Sequence, residues 1–151
     1  MKILVQRVKH ASVTVDNKVI SEIKDGILAF LGICETDTKQ TADLMLEKLV
    51  RLRIFEDENG KSNLSALDVG GNLLVVSQFT LYADCRKGNR PSFTNAAPAS
   101  HAEDIYNYFL QAAKAYFPSC GAGQFGADMK VELLNDGPFT IMLDSDIIIK
   151  V

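Results

Sequence analysis

The sequence contains few of the residues that metal sites and disulfide frameworks require. It has three cysteines and two histidines in 151 residues. Cys34, Cys85 and Cys120 are odd in number and far apart, so we expect no disulfide framework and a reducing compartment. Neither these cysteines nor His10 and His101 have the close spacing of zinc ligands. We therefore expect no metal and no cofactor.

Long apolar runs and a large net charge are also absent. The longest apolar stretches, near residues 26–34 and 73–76, are far shorter than the ~20 residues that cross a bilayer. The first residues become polar too soon for a signal peptide. We therefore expect a soluble, cytoplasmic protein with one domain over residues 1–151 and no membrane partner. The net charge of -3 argues against non-specific nucleic-acid binding, although a local basic patch can still bind RNA.

The sequence does contain many short strand patterns and two helix patterns. Apolar residues alternate, or recur closely, at residues 3–5, 13–15, 19–23, 129–133, 139–143 and 147–149. The continuous apolar run at 26–33 predicts a strand buried on both faces, and Asn59-Gly60 predicts a hairpin turn. One apolar stripe, at residues 42, 45, 46, 49 and 50, predicts a helix capped by Thr36 or Asp37. A second stripe, at residues 105, 109, 112 and 116, predicts a second helix that ends before Pro118. These patterns indicate an α+β fold with mostly antiparallel pairing and two main helices.

Polar residues interrupt the predicted core strand at residues 72–82. Ser77, Gln78 and Thr80 lie within this otherwise apolar run. Buried hydroxyl and amide groups cost free energy unless they are hydrogen-bonded. The segment is therefore either an edge strand whose polar side chains face water, or a strand end that lines a pocket. The residues alone leave both interpretations open.

Two loops have unusual composition. The segment 135–138, Asn-Asp-Gly-Pro, separates two alternating strands and is either a simple turn or the site of a cis X–Pro bond. Arg86, Lys87 and Arg90 place three cations in five residues beside Phe93. This pattern fits a phosphate contact, and it also fits an ordinary solvated loop.

A serine hydrolase with a histidine base has little support in the sequence. There is no Gly-x-Ser-x-Gly elbow, His10 lies in a strand-like segment, and His101 lies at the start of the second helix. A hydrolase that uses Thr80 or Ser77 with His101 is one alternative. A non-catalytic dimer that binds RNA or protein is another.

Considered together, these segments resemble the D-aminoacyl-tRNA deacylase family, also called D-tyrosyl-tRNA deacylases. The resemblance rests on residues 77–81, Ser-Gln-Phe-Thr-Leu, together with residues 135–140, Asn-Asp-Gly-Pro-Phe-Thr. It covers nearly the whole chain through further short motifs at residues 6–8, 53–55, 91–94 and 126–129. Phe139 departs from the smaller aliphatic residue, often Val, expected there, and we expect it to change the packing of the pocket. The tail after Asp144 is also longer than expected.

The resemblance implies an editing hydrolase with a β-barrel-like core that works as a homodimer on aminoacyl-tRNA. Such enzymes cleave the ester between a D-amino acid and the 3′-terminal adenosine of tRNA, and they remove glycine mischarged on tRNA-Ala. By resemblance, Gly137 and Pro138 form a cis pair that enters the partner subunit's site, where its carbonyls accept the substrate ammonium and exclude an L side chain. Met129 and Asn135 are assigned to the same chiral gate, and Arg7 is expected to orient the loop.

The resemblance also assigns the chemistry of the pocket. The backbone N–H of Phe79 is the expected oxyanion donor, and Ser77, Gln78 and Thr80 are expected to form the adenosine and carbonyl pocket. The resemblance further implies that the 2′-hydroxyl of the terminal ribose assists hydrolysis, which agrees with the lack of a well-placed base in the sequence. The cations expected to contact tRNA are Arg86, Lys87 and Arg90.

Overall fold

The computed structural model describes residues 1–149, and its sheet is organised around one long first strand. β1 (Lys2–Val15) pairs antiparallel with β3 (Gly26–Gly32) through its first half and with β2 (Lys18–Ile23) through its second half. β8 (Lys130–Asp144) runs antiparallel along the other edge of β1. β6 (Asn72–Ser77) then pairs in parallel with β3. The mostly antiparallel α+β fold is thus confirmed, with a parallel extension beside β3.

β7 (Cys120–Ala122) completes this extension by pairing in parallel with β6. Its far side approaches β2, so the two ends of the sheet almost meet: a Cβ at Gly121 would overlap the hydroxyl of Ser21. The sheet is therefore a nearly closed barrel. No helix in the described residues is both long and apolar enough to cross a membrane.

The first main helix is α1 (Lys39–Val50), which lies in the connection from β3 to β6 that a parallel pair requires. Its predicted apolar stripe is confirmed, because all five stripe residues from Ala42 to Val50 are buried. The predicted cap was wrong by one or two residues. Thr38 caps the helix, since its hydroxyl accepts the Thr41 N–H at 3.2 Å while the Thr41 hydroxyl accepts the Thr38 N–H at 3.2 Å.

The second main helix is α3 (Ala99–Ala113), which ends earlier and is rotated relative to the predicted stripe. Its buried residues are Ile105, Tyr106, Phe109 and Ala113. Tyr116 lies beyond the helix and is 45% exposed, so its predicted place in the core was wrong. The stripe rotates because the Tyr106 hydroxyl finds a buried acceptor, the Val75 carbonyl oxygen at 3.1 Å, which allows the tyrosine to be buried.

Four short elements complete the fold. The hairpin turn predicted at Asn59-Gly60 joins β4 (Phe55–Glu56) to β5 (Ser62–Leu64), and α2 (Ala66–Val69) follows. The strand predicted at residues 147–149 was wrong, because α4 (Ser145–Ile148) occupies this position. The helix forms because the Asp144 carboxylate accepts the Asp146 N–H at 3.0 Å and caps it.

Two hydrophobic clusters share the central strands. Ile27, Ala29 and Leu31 of β3 face the helices, where they pack with residues of α1 and α3. Leu28 points to the opposite face, into the interior of the barrel, where it packs with residues of β1, β2 and β6. This arrangement confirms that the apolar run at residues 26–33 is buried on both faces.

Gly26→Ala is expected to destabilise the protein by about 3 kcal/mol, because a Cβ at this position would overlap the backbone of Asn72 where β3 and β6 begin to pair. Gly71→Ala is the matched control. The added methyl at Gly71 would lie 3.6 Å from its nearest neighbours, an ordinary van der Waals distance. Urea unfolding of both variants tests the prediction, and equal midpoints would contradict it.

Candidate active site

A cavity of about 570 Å³ opens at the carboxyl ends of β3 and β6. Leu31 and Val76 form its floor, and the first residues of α3 form part of its wall. Phe125 and Met129, from the connection between β7 and β8, form the opposite side. The volume is in the range of small-molecule binding sites, and the lining is mainly apolar, with a few polar groups.

The polar groups come from the point where β6 ends. Ser77 and Gln78 line the cavity, so of the two interpretations left open by the sequence, the pocket-lining one describes these residues. The predicted strand through Tyr82 was wrong in its second half: residues Phe79–Tyr82 form a single 3-10 turn. The chain turns here because it packs over Gly32, where an added Cβ would lie 3.0 Å from the Leu81 side chain.

The turn begins at Phe79, whose backbone N–H lies at the cavity. In the described part of the chain, the Phe79 N–H donates to no backbone carbonyl, and no side chain caps the turn. Phe79 lines the cavity, and its ring is 57% exposed. The ring packs edge-on against Phe93, with 5.2 Å between centroids. An N–H group without a protein partner can accept an oxygen atom of a ligand.

Thr80 and His101 do not form a nucleophile–base pair. The Thr80 hydroxyl accepts a hydrogen bond from the Gln78 side chain, and Thr80 is not among the residues that line the cavity. His101 Nε2 lies 2.9 Å from the carbonyl oxygen of Asp37, so the ring connects α3 to the segment before α1. The hydrolase alternative based on these side chains therefore lacks its geometry.

The far wall of the cavity contains residues that the sequence analysis missed. The Tyr106 hydroxyl donates to the Val75 carbonyl oxygen and lies 3.4 Å from the Gly123 carbonyl oxygen, so it connects β6 to this wall. Burial raises the pKa of the Tyr106 hydroxyl. The Tyr106 ring also contacts Phe125, with 5.8 Å between centroids. The glycine-rich segment at 121–126 was the one sequence feature that pointed to this wall. Its glycine spacing resembles a phosphate-binding loop, but the segment lacks the flanking strand and helix that such a loop requires.

Met129 and Asp128 occupy the rim of the same wall. Met129 fits there because Gly123 has no side chain: a Cβ at Gly123 would lie 2.5 Å from the Met129 sulfur. Asp128, also missed by the sequence analysis, is 85% exposed and pairs with Lys130 at 3.1 Å. Within residues 1–149, no three side chains of His, Cys, Asp or Glu are grouped closely enough to hold a metal ion.

The Asn-Asp-Gly-Pro segment does not separate two strands, as its sequence suggested, but interrupts the pairing of one. Gln6 pairs with Thr140 and Val8 pairs with Asn135, so residues 136–139 lie opposite the single residue Arg7. β8 stays on the same partner strand on both sides of this bulge. The Gly137–Pro138 peptide bond is cis, and both residues are exposed.

Arg7 binds the bulge from within the protein, where it is only 5% exposed. Its Nη1 donates to the Ile54 carbonyl at 2.6 Å, and its Nη2 donates to the Gly137 carbonyl at 3.3 Å. Its Nε lies 3.2 Å from the Asp136 carbonyl oxygen and 3.1 Å from the Asp136 carboxylate. The guanidinium therefore connects the bulge to the body of the protein.

Asn135 and Phe139 flank the bulge. The Asn135 amide donates to the Arg7 carbonyl at 3.0 Å and to the Phe139 carbonyl at 3.1 Å, which ties together the two ends of the bulge. The Phe139 ring contacts the Arg7 guanidinium and does not line the cavity of its own chain, so its expected effect on pocket packing stays a prediction. None of residues 135–139 is among those that line the cavity of their own chain. The two halves of the sequence signature thus lie apart in one chain.

The basic loop is the segment that contains Arg86, Lys87 and Arg90, and these three cations differ in their environment. Asp84 pairs with Ser92 through two backbone hydrogen bonds, which close the loop at its base. The Asp84 carboxylate binds Arg86 at 2.6 and 2.8 Å, and this guanidinium lowers the pKa of Asp84 to about 2. Lys87 and Arg90 are exposed. At neutral pH, Arg86 therefore already has a carboxylate partner.

Comparisons with known proteins give matches over nearly the whole chain. The family model described as D-Tyr-tRNA(Tyr) deacylase matches residues 4–144. A D-aminoacyl-tRNA deacylase of Clostridioides difficile strain 630 is 54% identical over 145 residues, which are 96% of this chain and 97% of the relative. The D-aminoacyl-tRNA deacylase of Thermosipho africanus strain TCF52B is 50% identical over 145 residues, with the same coverage of both chains.

Two solved structures have the same fold. One, a c-Myc DNA Unwinding Element Binding Protein, superposes with a TM-score of 0.91 at 47% identity, over 96% of this chain and 99% of that chain. The other, a probable eukaryotic D-amino acid tRNA deacylase, superposes with a TM-score of 0.83 at 16% identity, over 94% of this chain and 97% of that chain. At that identity, the second comparison supports the fold alone.

Proposed function

The chain belongs to the D-Tyr-tRNA(Tyr) deacylase family, and from this membership we propose how its cavity and its Gly-Pro bulge act together in editing. The enzyme is a hydrolase that cleaves the ester of D-aminoacyl-tRNA. The observation that carries the proposal is the free N–H of Phe79 beside Ser77 and Gln78 in the cavity.

The 3′-terminal adenosine of the tRNA, carrying a D-amino acid or glycine, occupies the cavity in this proposal. Ser77 and Gln78 offer hydrogen bonds to the adenosine and the ester. The Phe79 N–H stabilises the oxyanion that develops when water attacks the carbonyl, since such a donor acts best when it is already fixed in a partly dry site. Met129 borders the same space. Glycine mischarged on tRNA-Ala fits this site because it has no side chain to exclude.

A second copy of the chain supplies the gate in this proposal. Gly137 and Pro138 are exposed and lie away from the cavity of their own chain. In a homodimer, they enter the partner's cavity and present two carbonyl oxygens to the substrate ammonium. An L side chain would collide with this backbone, whereas a D side chain points away from it. Exclusion by a rigid surface gives stronger discrimination than a loose apolar pocket gives.

Arg7 and Asn135 position the gate in this proposal, and the substrate assists the chemistry. Arg7 contacts the Gly137 carbonyl, and Asn135 ties together the ends of the bulge. His101 is bonded to the Asp37 carbonyl and offers no base to the cavity. In this proposal, the 2′-hydroxyl of the terminal ribose assists hydrolysis in place of a side-chain base.

Incubation with D-Tyr-tRNA, L-Tyr-tRNA and Gly-tRNA-Ala tests the proposal. We expect release of D-tyrosine and glycine and no release of L-tyrosine. Equal release of the two tyrosines would contradict the gate. A general esterase would instead cleave small esters without tRNA.

A non-catalytic nucleic-acid-binding role is the second candidate. It is favoured by the solved structure that is 47% identical to this chain, because that protein is named for binding a DNA unwinding element. The same incubation separates the two candidates, because a binding protein would retain the charged tRNA and release no amino acid from it.

The basic loop is expected to bind tRNA phosphates mainly through Lys87 and Arg90, since Arg86 is already paired with Asp84. Replacing Lys87 and Arg90 with Ala is expected to flatten the slope of log K against log salt by about 1.4 to 1.8 units. Arg86→Ala should change the slope less, and Asp84→Asn should steepen it by freeing Arg86. The preference for D over L should not change, because phosphate contacts position a nucleic acid without reading the chirality of its amino acid.

The matched control removes the same charge elsewhere. Lys48→Ala with Lys61→Ala removes two exposed cations that do not line the cavity. Binding at several salt concentrations gives all the slopes. An unchanged slope in the Lys87 and Arg90 variant would place the tRNA on another surface.

A further inference from the structure

Phe139 makes a contact that the catalytic proposal does not use. The Arg7 guanidinium lies over the face of its ring, with 4.6 Å between Arg7 Cζ and the ring centroid. Arg7 is almost fully buried and Phe139 is half-buried. A cation over an aromatic face is held more strongly when water is excluded from the contact. The ring is therefore in a position to fix the plane of the guanidinium.

The edge of the same guanidinium is already used by oxygen atoms. Nη1 donates to Ile54, Nε contacts Asp136, and Nη2 donates to the Gly137 carbonyl. The bond to Gly137, at 3.3 Å, is the longest of these contacts. A long hydrogen bond is the first to be lost when the donor tilts. The orientation of the guanidinium plane thus has its largest effect at the Gly137 carbonyl.

The backbone of Phe139 is fixed by the same set of contacts. Asn135 donates to its carbonyl at 3.1 Å and to the Arg7 carbonyl at 3.0 Å. The ring also packs against the larger hydrophobic cluster of the core. The aromatic face is therefore held in place from the backbone side and from the core side.

We propose that Phe139 is a positioning residue that, through Arg7, fixes the Gly137 carbonyl and so sets how strictly the enzyme excludes L-aminoacyl-tRNA. This inference rests on the proposed role of Gly137 in the gate. An aliphatic residue of similar size would fill the same space in the core, but it would present no negative face to the guanidinium. The ring face, rather than the apolar volume, carries the effect.

A pair of variants separates the ring face from the volume. Phe139→Leu keeps an apolar side chain and removes the ring, and Phe139→Tyr keeps the ring. We expect Phe139→Leu to lower the ratio of kcat/KM for D-Tyr-tRNA over L-Tyr-tRNA by about fivefold to tenfold. Most of the loss for D-Tyr-tRNA should appear in KM, because the Gly137 carbonyl binds the substrate ammonium. Phe139→Tyr should keep the wild-type ratio.

A spectroscopic measurement reports the contact without any activity assay. In the wild type and in Phe139→Tyr, the Arg7 Nε–H resonance should show the ring-current shift of an aromatic face, and Phe139→Leu should lose it. Thermal unfolding identifies any variant that has lost its fold. Phe139→Met, which fills irregular space with a flexible side chain, then replaces Phe139→Leu in both assays.

The outcomes distinguish failure of this inference from failure of the gate. If the wild type discriminates and folded Phe139→Leu discriminates equally well, the inference is overturned. An Arg7 resonance that is unchanged in Phe139→Leu overturns it as well. If the wild type itself cleaves both tRNAs equally, the gate fails, and the discrimination role of Phe139 fails with it, whatever the resonance shows.

Discussion

Gly137→Ala is expected to lower kcat/KM for D-Tyr-tRNA by about a hundredfold while the chain still folds. Among residues 1–149, the added methyl would lie within 4 Å of a single atom, the Asn135 amide oxygen, at 3.9 Å. Gly137 is also exposed and does not adopt a left-handed backbone conformation. The chain itself therefore tolerates a side chain at this position. A loss of activity would show that a substrate or a partner subunit occupies the space beside it.

Gly71→Ala is the control, because it makes the same chemical change at a site with ordinary contacts that lies outside the bulge. Circular dichroism checks the fold of both variants, and sedimentation velocity reports their oligomeric state. The measurement is release of D-tyrosine from D-Tyr-tRNA. A folded Gly137→Ala protein with wild-type turnover would remove Gly137 from the gate.

The sequence correctly predicted the elements whose apolar residues are spaced by their packing against the core. The α1 stripe and the doubly buried β3 were correct, because apolar spacing follows directly from the faces that each element buries. The strand predicted through Tyr82 failed because the apolar residues continue after Ser77, while the chain turns over Gly32. The contact between Leu81 and Gly32, which are distant in sequence, determines this turn, and a local sequence pattern does not predict such a contact.

The Asn-Asp-Gly-Pro bulge shows a different limit of sequence patterns. Leu133 and Phe139 both lie on the alternation of odd-numbered residues, so this alternation fits a turn between two strands as well as one interrupted strand. Only the pairing with β1 shows that both sides of the bulge lie on the same partner. The contact between Arg7 and Gly137 spans 130 residues and could be suggested only by resemblance.

The candidate site was predictable in part for the same reason. Ser77 and Gln78 could be found because they are polar residues within an apolar strand. Phe125 could not, because its glycine-rich segment has no periodicity that would place it in a wall of the cavity. The pairing of Arg86 with Asp84 depends on how the basic loop folds back on itself, which its composition does not specify.

Ser77→Ala and Thr80→Ala are each expected to keep activity within about tenfold of the wild type, while a tRNA ending in 2′-deoxyadenosine is cleaved at least about a hundredfold more slowly. Thr80 accepts a hydrogen bond from Gln78 and does not line the cavity. In residues 1–149, no side-chain hydrogen bond connects either hydroxyl to a histidine or a carboxylate. Removing a true nucleophile costs many orders of magnitude, so the two mechanisms differ clearly in the size of the effect.

Asp128→Asn is the control for a carboxylate base, because Asp128 is an acidic side chain that lines the cavity. It is largely exposed and paired with Lys130, so we expect this variant to keep its activity. Single-turnover rates on D-Tyr-tRNA and on its 2′-deoxy analogue, with binding measured separately, isolate the chemical step from affinity. An inactive Thr80→Ala enzyme together with a normal rate on the deoxy substrate would reverse the assignment and make Thr80 the nucleophile. Slow cleavage of the deoxy substrate at unchanged affinity would instead place the assisting hydroxyl on the tRNA, which explains how this cavity can work without a histidine base.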